Sequence, residues 1–573
     1  MKHLFSCLKT YRTEAVLAPL FKLLEACMEL LVPFVVKAVV DHGIADGNKS
    51  YIIYGCLILA AFGVVGLAFA LTAQYFAARA AVGTSAELRS RLFAKLQSFS
   101  YSQIDGTGTA AMVARMTSDV NQVQTGVNMT LRIFLRSPIV VFGATAMAFV
   151  TDARTALVFL ATLPLLIAVV VAIMAAGIPL YRRVQGKLDR VYGSVRDNLT
   201  GVRVIRAFCK EQDETEEFSA RNGELCRQQK LAGKISALMN PLTFVIVNAA
   251  AIALVYFGAL RIDGGKILQG DVIALYSYLS LILVELVKFA SLIFTITKAI
   301  SCEKRIGAVL DVSGEPEVTQ DAVSEREQPS MQYAAEFRGV SFTYSGGGAP
   351  ALQGIDFSVR RGETVGILGG TGSGKSTLVN LLPRFYSATE GSVLINGKDV
   401  EAVPYRDLRQ TVAVVPQKAV LFQGTIRSNL LWGNAGATDE ELETAVRIAQ
   451  AEDVVKAKGG LDGEIAQEGK NLSGGQRQRL TVARALVQKS EILILDDSSS
   501  ALDYATDAKL RAALKELDRT LFVVSQRASS VRHADKIIVL DDGKIAGMGT
   551  HEELSEACAL YREICASQER EGV

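Results

Sequence analysis

Six apolar stretches dominate the first 300 residues: Val16–Val40, Tyr51–Phe76, Phe134–Val150, Ala156–Pro179, Leu242–Leu260 and Val272–Thr297. Each is near the length of about 20 mostly apolar residues that an α-helix needs to cross a bilayer's hydrocarbon. One such stretch could be a buried helix of a soluble core, but six in succession, paired around short turns, predict a membrane-spanning bundle. Beyond residue 310 the chain reads as a soluble α/β protein, and 573 residues exceed what one core sustains. The expected domains are 1–310, a six-helix all-α membrane domain with long connections, 311–334, a polar, proline-bearing linker, and 335–573. A net charge of +2 without a clustered basic excess argues against a nucleic-acid partner.

The opening residues MKHLFSCLKTYR resemble the basic region of a signal peptide, but the stretch after them carries Lys22, Glu25 and Glu29. A short amphipathic entry helix is the expectation. The connections Asp41–Tyr51, Thr151–Arg154 and Arg261–Asp271 carry few positive charges. Long basic ones hold Arg79, Arg89, Arg91, Lys95, Arg115, Arg132 and Arg136, then Arg182, Arg183, Lys187, Arg190, Arg196, Arg203, Arg206 and Lys210. Cytoplasmic loops carry such an excess, which predicts cytosolic long connections and, with an even number of spans, two cytosolic termini. Their stalks, around Ser85–Leu96 and Asn198–Phe208, read as helical continuations, either simply solvated or with tips that dock on the soluble domain.

Charges inside the spans call for partners. Glu285 and Lys288, three residues apart, share a helix face, and Glu29 lies well inside the first span. They form either a pair sealing the bundle or part of a cavity wall. The eight cysteines, Cys7, Cys27, Cys56, Cys209, Cys226, Cys302, Cys558 and Cys565, show no metal or disulfide spacing and read as reduced thiols.

In the soluble part, Gly369-Gly370-Thr371-Gly372-Ser373-Gly374-Lys375-Ser376-Thr377 fits G-x-x-x-x-G-K-[ST], with an apolar strand, Thr364–Leu368, before it and a helix after it. Glycines let backbone N–H groups turn toward a phosphate. Lys375 supplies charge to the β- and γ-phosphates of ATP, and Ser376 a hydroxyl to Mg2+. Ile492-Leu493-Ile494-Leu495-Asp496 is a buried-strand pattern ending in a carboxylate placed to hold Mg2+ through its water shell.

Between these motifs lies Leu472-Ser473-Gly474-Gly475-Gln476, followed by Arg477-Gln478-Arg479, which resembles the signature of ABC transporters. The resemblance covers essentially the whole chain, because six spans followed by one such domain is the layout of a half-exporter. It implies that Tyr344 stacks on adenine and that Gln417 of VVPQ faces the membrane domain and the metal. It makes Ser500-Ala501-Leu502-Asp503 the D-loop. It also implies a dimer in the membrane, with each ATP held between one subunit's phosphate loop and the other's Ser473, Gly474, Gly475 and Gln476.

Two catalytic positions depart from that family. Asp497 follows Asp496 where active members carry Glu, drawing the carboxylate back by about 1.5 Å, and a misplacement near 1 Å can cost on the order of 100-fold in rate. Gln526 stands where the family carries His, and an amide donates a hydrogen bond but cannot become cationic. The stretch Glu464–Gly469 before the signature also differs from the family's usual V-G-E-R-G type. With the phosphate loop and signature intact, the pair of changes resembles the degenerate subunit of bacterial heterodimeric multidrug exporters: an ATPase subunit of the plasma membrane, paired with a homologous half-transporter and moving small amphipathic molecules or drugs outward. A homodimer, a dedicated lipid or peptide exporter, a siderophore importer and an ATP-gated channel or sensor are the other expectations.

Overall fold

The computed structural model describes residues 1–314 and 332–570. Most of the expected linker, residues 315–331, lies outside them. The chain divides into two compact units, Met1–Gln97 with Ala110–Val312, and Ser98–Thr109 with the chain from Ser313 onward.

The first unit is helical throughout. A nine-residue amphipathic helix, α1 (Lys2–Thr10), leads into α2 (Arg12–Ala38), which keeps Pro19 and Pro33 inside it. The long helix α3 (Lys49–Gln97) comes next. The short helix α4 (Tyr101–Thr107) belongs to the second unit. Then come α5 (Thr109–Ala114), α6 (Val120–Ile133), α7 (Arg136–Thr151), α8 (Leu157–Thr200), α9 (Val202–Ala207), α10 (Glu211–Ala237), α11 (Met239–Asp263) and α12 (Gln269–Leu310). With 49, 44 and 42 residues, α3, α8 and α12 run to roughly 60–75 Å at 1.5 Å per residue, about twice the hydrocarbon thickness. Spans and stalks are therefore continuous helices.

Among the described residues, five helical stretches are long and apolar enough to cross a membrane: Lys49–Gln97, Thr109–Thr151, Leu157–Thr200, Glu211–Asp263 and Gln269–Leu310. The sequence holds six apolar stretches. Its first, Val16–Val40, forms α2 and a wide π-helical turn, Val39–Ile44. Lys22, Glu25, Glu29 and Lys37 make α2 less apolar than the other five. The unit's core gathers Leu30, Val140, Phe159, Leu254, Leu275, Tyr278 and Ile282. Tyr278, fully buried, gives its hydroxyl proton to the Leu30 carbonyl, 3.1 Å away.

The second unit is built on two large sheets and a two-stranded ribbon. The strands are β1 (Tyr333–Phe342), β2 (Leu352–Arg360), β3 (Thr364–Gly369), β4 (Glu390–Ile395), β5 (Lys398–Asp399), β6 (Val412–Val415), β7 (Gly424–Thr425), β8 (Glu464–Ile465), β9 (Ile492–Asp496), β10 (Thr520–Ser525), β11 (Lys536–Asp541) and β12 (Lys544–Gly549). The six-stranded sheet runs β12-β11-β3-β10-β9-β6, parallel except at the β12 edge, an antiparallel sheet runs β2-β1-β4-β5, and the ribbon pairs β7 with β8. All five residues of β9 are buried, as expected of a parallel strand covered on both faces. In such sheets, ligands bind beyond the carboxyl ends of the strands. There β3 ends in the glycine-rich loop, β9 in Asp496-Asp497 and β10 in Gln526.

Candidate nucleotide-binding site

The loop after β3 closes on itself. Gly372 and Gly374 have φ of +85° and +96°, a left-handed conformation that glycine adopts without a Cβ clash. A Cβ on Gly374 would come 2.8 Å from the Ala351 carbonyl oxygen, and one on Gly369 would meet that of Leu540 at 2.4 Å. The backbone path is thus one only glycine can take. Lys375 opens α13 (Lys375–Leu381) and turns back into the loop, donating to the Gly369 and Gly370 carbonyls at 2.9 and 2.5 Å. Burial lowers its pKa, opposed by the carboxylates of Asp497 and Asp496.

Facing the loop, Ser376 donates from Oγ to Asp496 Oδ1 at 2.9 Å. Burial raises the Asp496 pKa, the Ser376 hydroxyl opposes that rise, and the Asp497 charge adds to it. Asp497 is raised as well, chiefly by burial, with the Gln417 amide, Lys375 and Arg527 pulling the other way. Gln417 Nε2 stands 3.4 Å from Asp497 Oδ2. Asp497 holds a left-handed φ of +46°, a region where Asp is tolerated better than most residues, and its N–H donates to the Val524 carbonyl at 3.0 Å. Gln526 approaches the loop from β10, its Oε1 3.5 Å from Thr371 Oγ1. A primary amine, a hydroxyl, two adjacent carboxylates and two amides thus converge on a glycine cradle.

Tyr344 sits at the rim, its hydroxyl 2.9 Å from Thr377 Oγ1 and its ring edge-on to Tyr386, with centroids 5.3 Å apart. Tyr386, which no sequence motif marks, donates to Asp105 on α4 at 2.7 Å. Tyr101 of α4 stacks on Phe385 at 4.3 Å. The only sequence signal for these contacts is the aromatic pair Phe385-Tyr386 after the phosphate-loop helix.

The signature stands apart from the phosphate loop. Ser473 caps the helix Gly474–Val487, its Oγ accepting from the Gln476 N–H at 3.3 Å while Gln476 Oε1 accepts from the Ser473 N–H at 2.9 Å. A Cβ on Gly475 would come 2.8 Å from the Ala501 carbonyl oxygen, whereas Gly474 faces open space. No hydrogen bond joins Ser473–Gln476 to residues 369–377 among the described residues. The candidate residues therefore form two separate surfaces, one with a lysine cradle and one with a capped helix start.

A family model described as ABC transporter transmembrane region matches residues 16–286, and one described as ABC transporter matches residues 352–500. The chain belongs to the ABC transporter family. An uncharacterized ABC transporter ATP-binding protein of Mycobacterium tuberculosis is 37% identical over 98% of this chain and 97% of its own. An ATP-dependent lipid A-core flippase of Syntrophus aciditrophicus is 30% identical over 85% of this chain and 80% of its own. The structure of a bacterial Atm1-family ABC exporter with ATP bound superposes with a TM-score of 0.82 at 24% identity, covering 97% of this chain and 98% of that one. The fold is that of an ABC exporter. The transporter is a multi-pass membrane protein whose second unit is an ATPase coupled to transport.

The transporter's first unit carries a second set of buried charges. Arg136, buried at the start of α7, bonds to Glu285 of α12 through one guanidinium nitrogen and to Glu29 of α2 through another. Ser137 donates to the other Glu285 oxygen at 2.7 Å, and Lys288 reaches Glu285 at 2.9 Å. Glu285 is thus shared among three donors on two helices, which favours its role as a tie. Glu29 keeps 35% of its side chain exposed, in a groove of about 450 Å³ with Val36, Tyr276, Ser277, Ser280 and Val284. Arg136, expected among the loop cations, is instead buried. Its position just after the apolar Phe134-Leu135 was the available signal.

Proposed function

We propose that this transporter is one half of a heterodimeric exporter, and that the ATP site on its own phosphate loop binds nucleotide but hydrolyses it slowly. The observation that carries this reading is the pairing of an intact cradle, Gly369–Thr377 with Lys375, with Asp497 and Gln526 at its mouth. Mg2+ fits the donor set there. The Ser376 hydroxyl and the Asp496 carboxylate already lie within 2.9 Å of each other, and Gln417 stands beside the neighbouring Asp497 carboxylate. The bound ion would neutralise phosphate charge and orient the terminal phosphate.

Lys375 would exchange its two carbonyl contacts for phosphate oxygens, and Tyr344 would offer its ring to the adenine. Asp497, one methylene shorter than Glu, would hold a water farther from the phosphorus. Gln526 donates a hydrogen bond to the terminal phosphate without adding charge. The signature of this chain completes the other subunit's site, where faster hydrolysis would occur. The ABC exporter fold works as a dimer in a membrane, and the separation of Ser473–Gln476 from the phosphate loop within one chain supports that sharing.

The same reading places both termini in the cytosol of a bacterial cell, with the transporter in its plasma membrane, and gives small amphipathic molecules as cargo. A homodimer with a lipid cargo is the second reading, and the relative named a lipid A-core flippase favours that cargo. Purification of the tagged transporter from its own cell, followed by ATPase assays of single variants, separates the two. Asp497→Asn should leave most turnover in place and Gly475→Asp should remove it. Loss of most turnover in Asp497→Asn would make Asp497 the working carboxylate and favour the homodimer. Flux of a fluorescent lipid against a cationic dye in proteoliposomes then reads the cargo.

A further inference from the structure

Gln526 sits on a turn of backbone that one distant side chain holds at two points. Gln568, on the C-terminal helix (Ala559–Arg570), donates from Nε2 to the Gln526 carbonyl at 2.7 Å and accepts at Oε1 from the Ala528 N–H at 2.8 Å. A primary amide bound this way does what a neighbouring strand would do: it fills one acceptor and one donor two residues apart and fixes the backbone between them. Other restraints on this turn come from its neighbours, and the Ser530 N–H donates to the Arg527 carbonyl at 3.1 Å. Arg527 N–H donates to Ser525 Oγ at 3.0 Å, and the Arg527 guanidinium lies over the Tyr504 ring at 5.1 Å. Among the described residues, the hydrogen bonding of the Gln526 side chain is the long 3.5 Å contact to Thr371.

The helix bearing Gln568 is itself anchored. Tyr561 is fully buried, its hydroxyl 2.8 Å from His551 Nδ1. Tyr561 and Cys558 pack in one cluster with Ala528 and Val531 after the turn and with Leu368, the residue before Gly369. One apolar cluster thus connects the C-terminal helix, the turn and the base of the phosphate loop. Gln568 also borders the cavity of about 1090 Å³ that Asp497, Gln526 and Arg527 line.

We propose that Gln568 is a positioning residue for nucleotide recognition, holding the Gln526 backbone so that the Gln526 amide meets the terminal phosphate. The proposal rests on the reading of Gln526 as the contact to that phosphate. A neutral amide lacks the long-range pull of an imidazolium and gains from its phosphate only at hydrogen-bonding distance, so its backbone has to be set beforehand. Gln568 therefore governs how strongly this site prefers ATP over ADP, while leaving the contacts to adenine and the first two phosphates alone.

The test uses the full-length transporter in nanodiscs, labelled with 8-azido-ATP and competed with ATP or ADP, with label read on this chain alone. Loss of one hydrogen bond to a charged group should cut the ATP-over-ADP preference roughly tenfold in Gln526→Ala. Gln568→Ala should lose a similar factor with ADP affinity unchanged, and the double variant should lose little more than either single one. Gln568→Glu faces the Gln526 carbonyl with a carboxylate and should lose as much, which keeps the test open if Gln568→Ala unfolds. A preference that falls in Gln526→Ala but holds in both Gln568 variants overturns the proposal. A preference that holds in Gln526→Ala overturns the reading of Gln526 and the proposal with it. Equal falls in ATP and ADP affinity in the Gln568 variants, with a lower melting temperature, would show a general structural role and overturn it as well.

Discussion

The transporter holds two groups of buried charge, and they differ in what they leave undone. In the membrane unit, Arg136, Lys288 and Ser137 surround Glu285, and Arg136 also reaches Glu29, so that opposite charges alternate and neutralise one another. In the nucleotide unit, Asp496 and Asp497 are adjacent in sequence, both carboxyls are raised above the usual range, and Lys375 spends its donors on backbone carbonyls. A cluster that satisfies itself holds helices together. One that keeps like charges side by side, next to a cationic amine turned elsewhere, is arranged for a ligand that will rearrange it.

Substitution separates the two. Glu285→Ala should have the largest effect, because it leaves the Arg136 guanidinium buried with Glu29 alone. Breaking such a pair costs about 3–5 kcal/mol. The expected outcome is a marked loss of monodisperse protein after detergent extraction and mild heating, with Glu285→Gln milder because the amide still bonds to Arg136 or Ser137. A stable Glu285→Ala protein with altered transport of cationic substrates would make Glu285 part of the cavity wall.

Lys375→Ala comes next and should act on ligand and not on fold. Its amine bonds within the loop, to the Gly369 and Gly370 carbonyls and at 3.5 Å to Ser373 Oγ, so the melting temperature without nucleotide should change little, while ATP affinity at this chain's site falls by roughly 100-fold or more, as removal of a charge-assisted phosphate contact implies. Equal losses of stability and affinity would erase the contrast between the two clusters.

A pH series gives a smaller effect of fixed sign. Asp496 and Asp497 have folded pKa values above their unfolded ones, so the folded state binds more protons between the two and stability falls as pH rises through that window. Below the unfolded values the contribution is fully present. The nucleotide-free transporter should therefore lose melting temperature as pH rises from the ordinary carboxylate range toward the raised values, and Asp496→Asn should flatten that slope. An unchanged slope in Asp496→Asn would remove the two carboxylates as its source.

The smallest change in overall turnover is expected from Asp497→Glu combined with Gln526→His. Hydrolysis at this chain's site should rise, read as 8-azido label converted from triphosphate to diphosphate on this chain, while total ATPase gains at most the activity of one more site. No conversion in the double variant would place the block elsewhere, for instance in the unusual Glu464–Gly469 stretch.

Much of this was written in local sequence. Apolar length gave the spans, because the need of a helix for about 20 apolar residues is a property of one segment. The phosphate loop was legible because glycine spacing and left-handed backbone are local too, and Gly372 and Gly374 take that backbone. Helix α2 was the weak case: its charges blur a signal that rests on average hydropathy, and the structure shows them engaged with one another and with α7.

What the chain could not announce was pairing at long range. Arg136 and Glu285 are 149 residues apart and Tyr386 and Asp105 281 apart, and nothing in the local pattern of either member names the other. Gln568 reads as an ordinary polar residue near a helix end until the fold brings it to the backbone of Gln526. Sequence alone determined the elements and the chemistry each could offer, because periodicity, propensity and motif spacing act over a few residues. Tertiary structure decided which charges neutralise one another and which are left facing a ligand, because burial and electrostatics depend on distances that only packing sets.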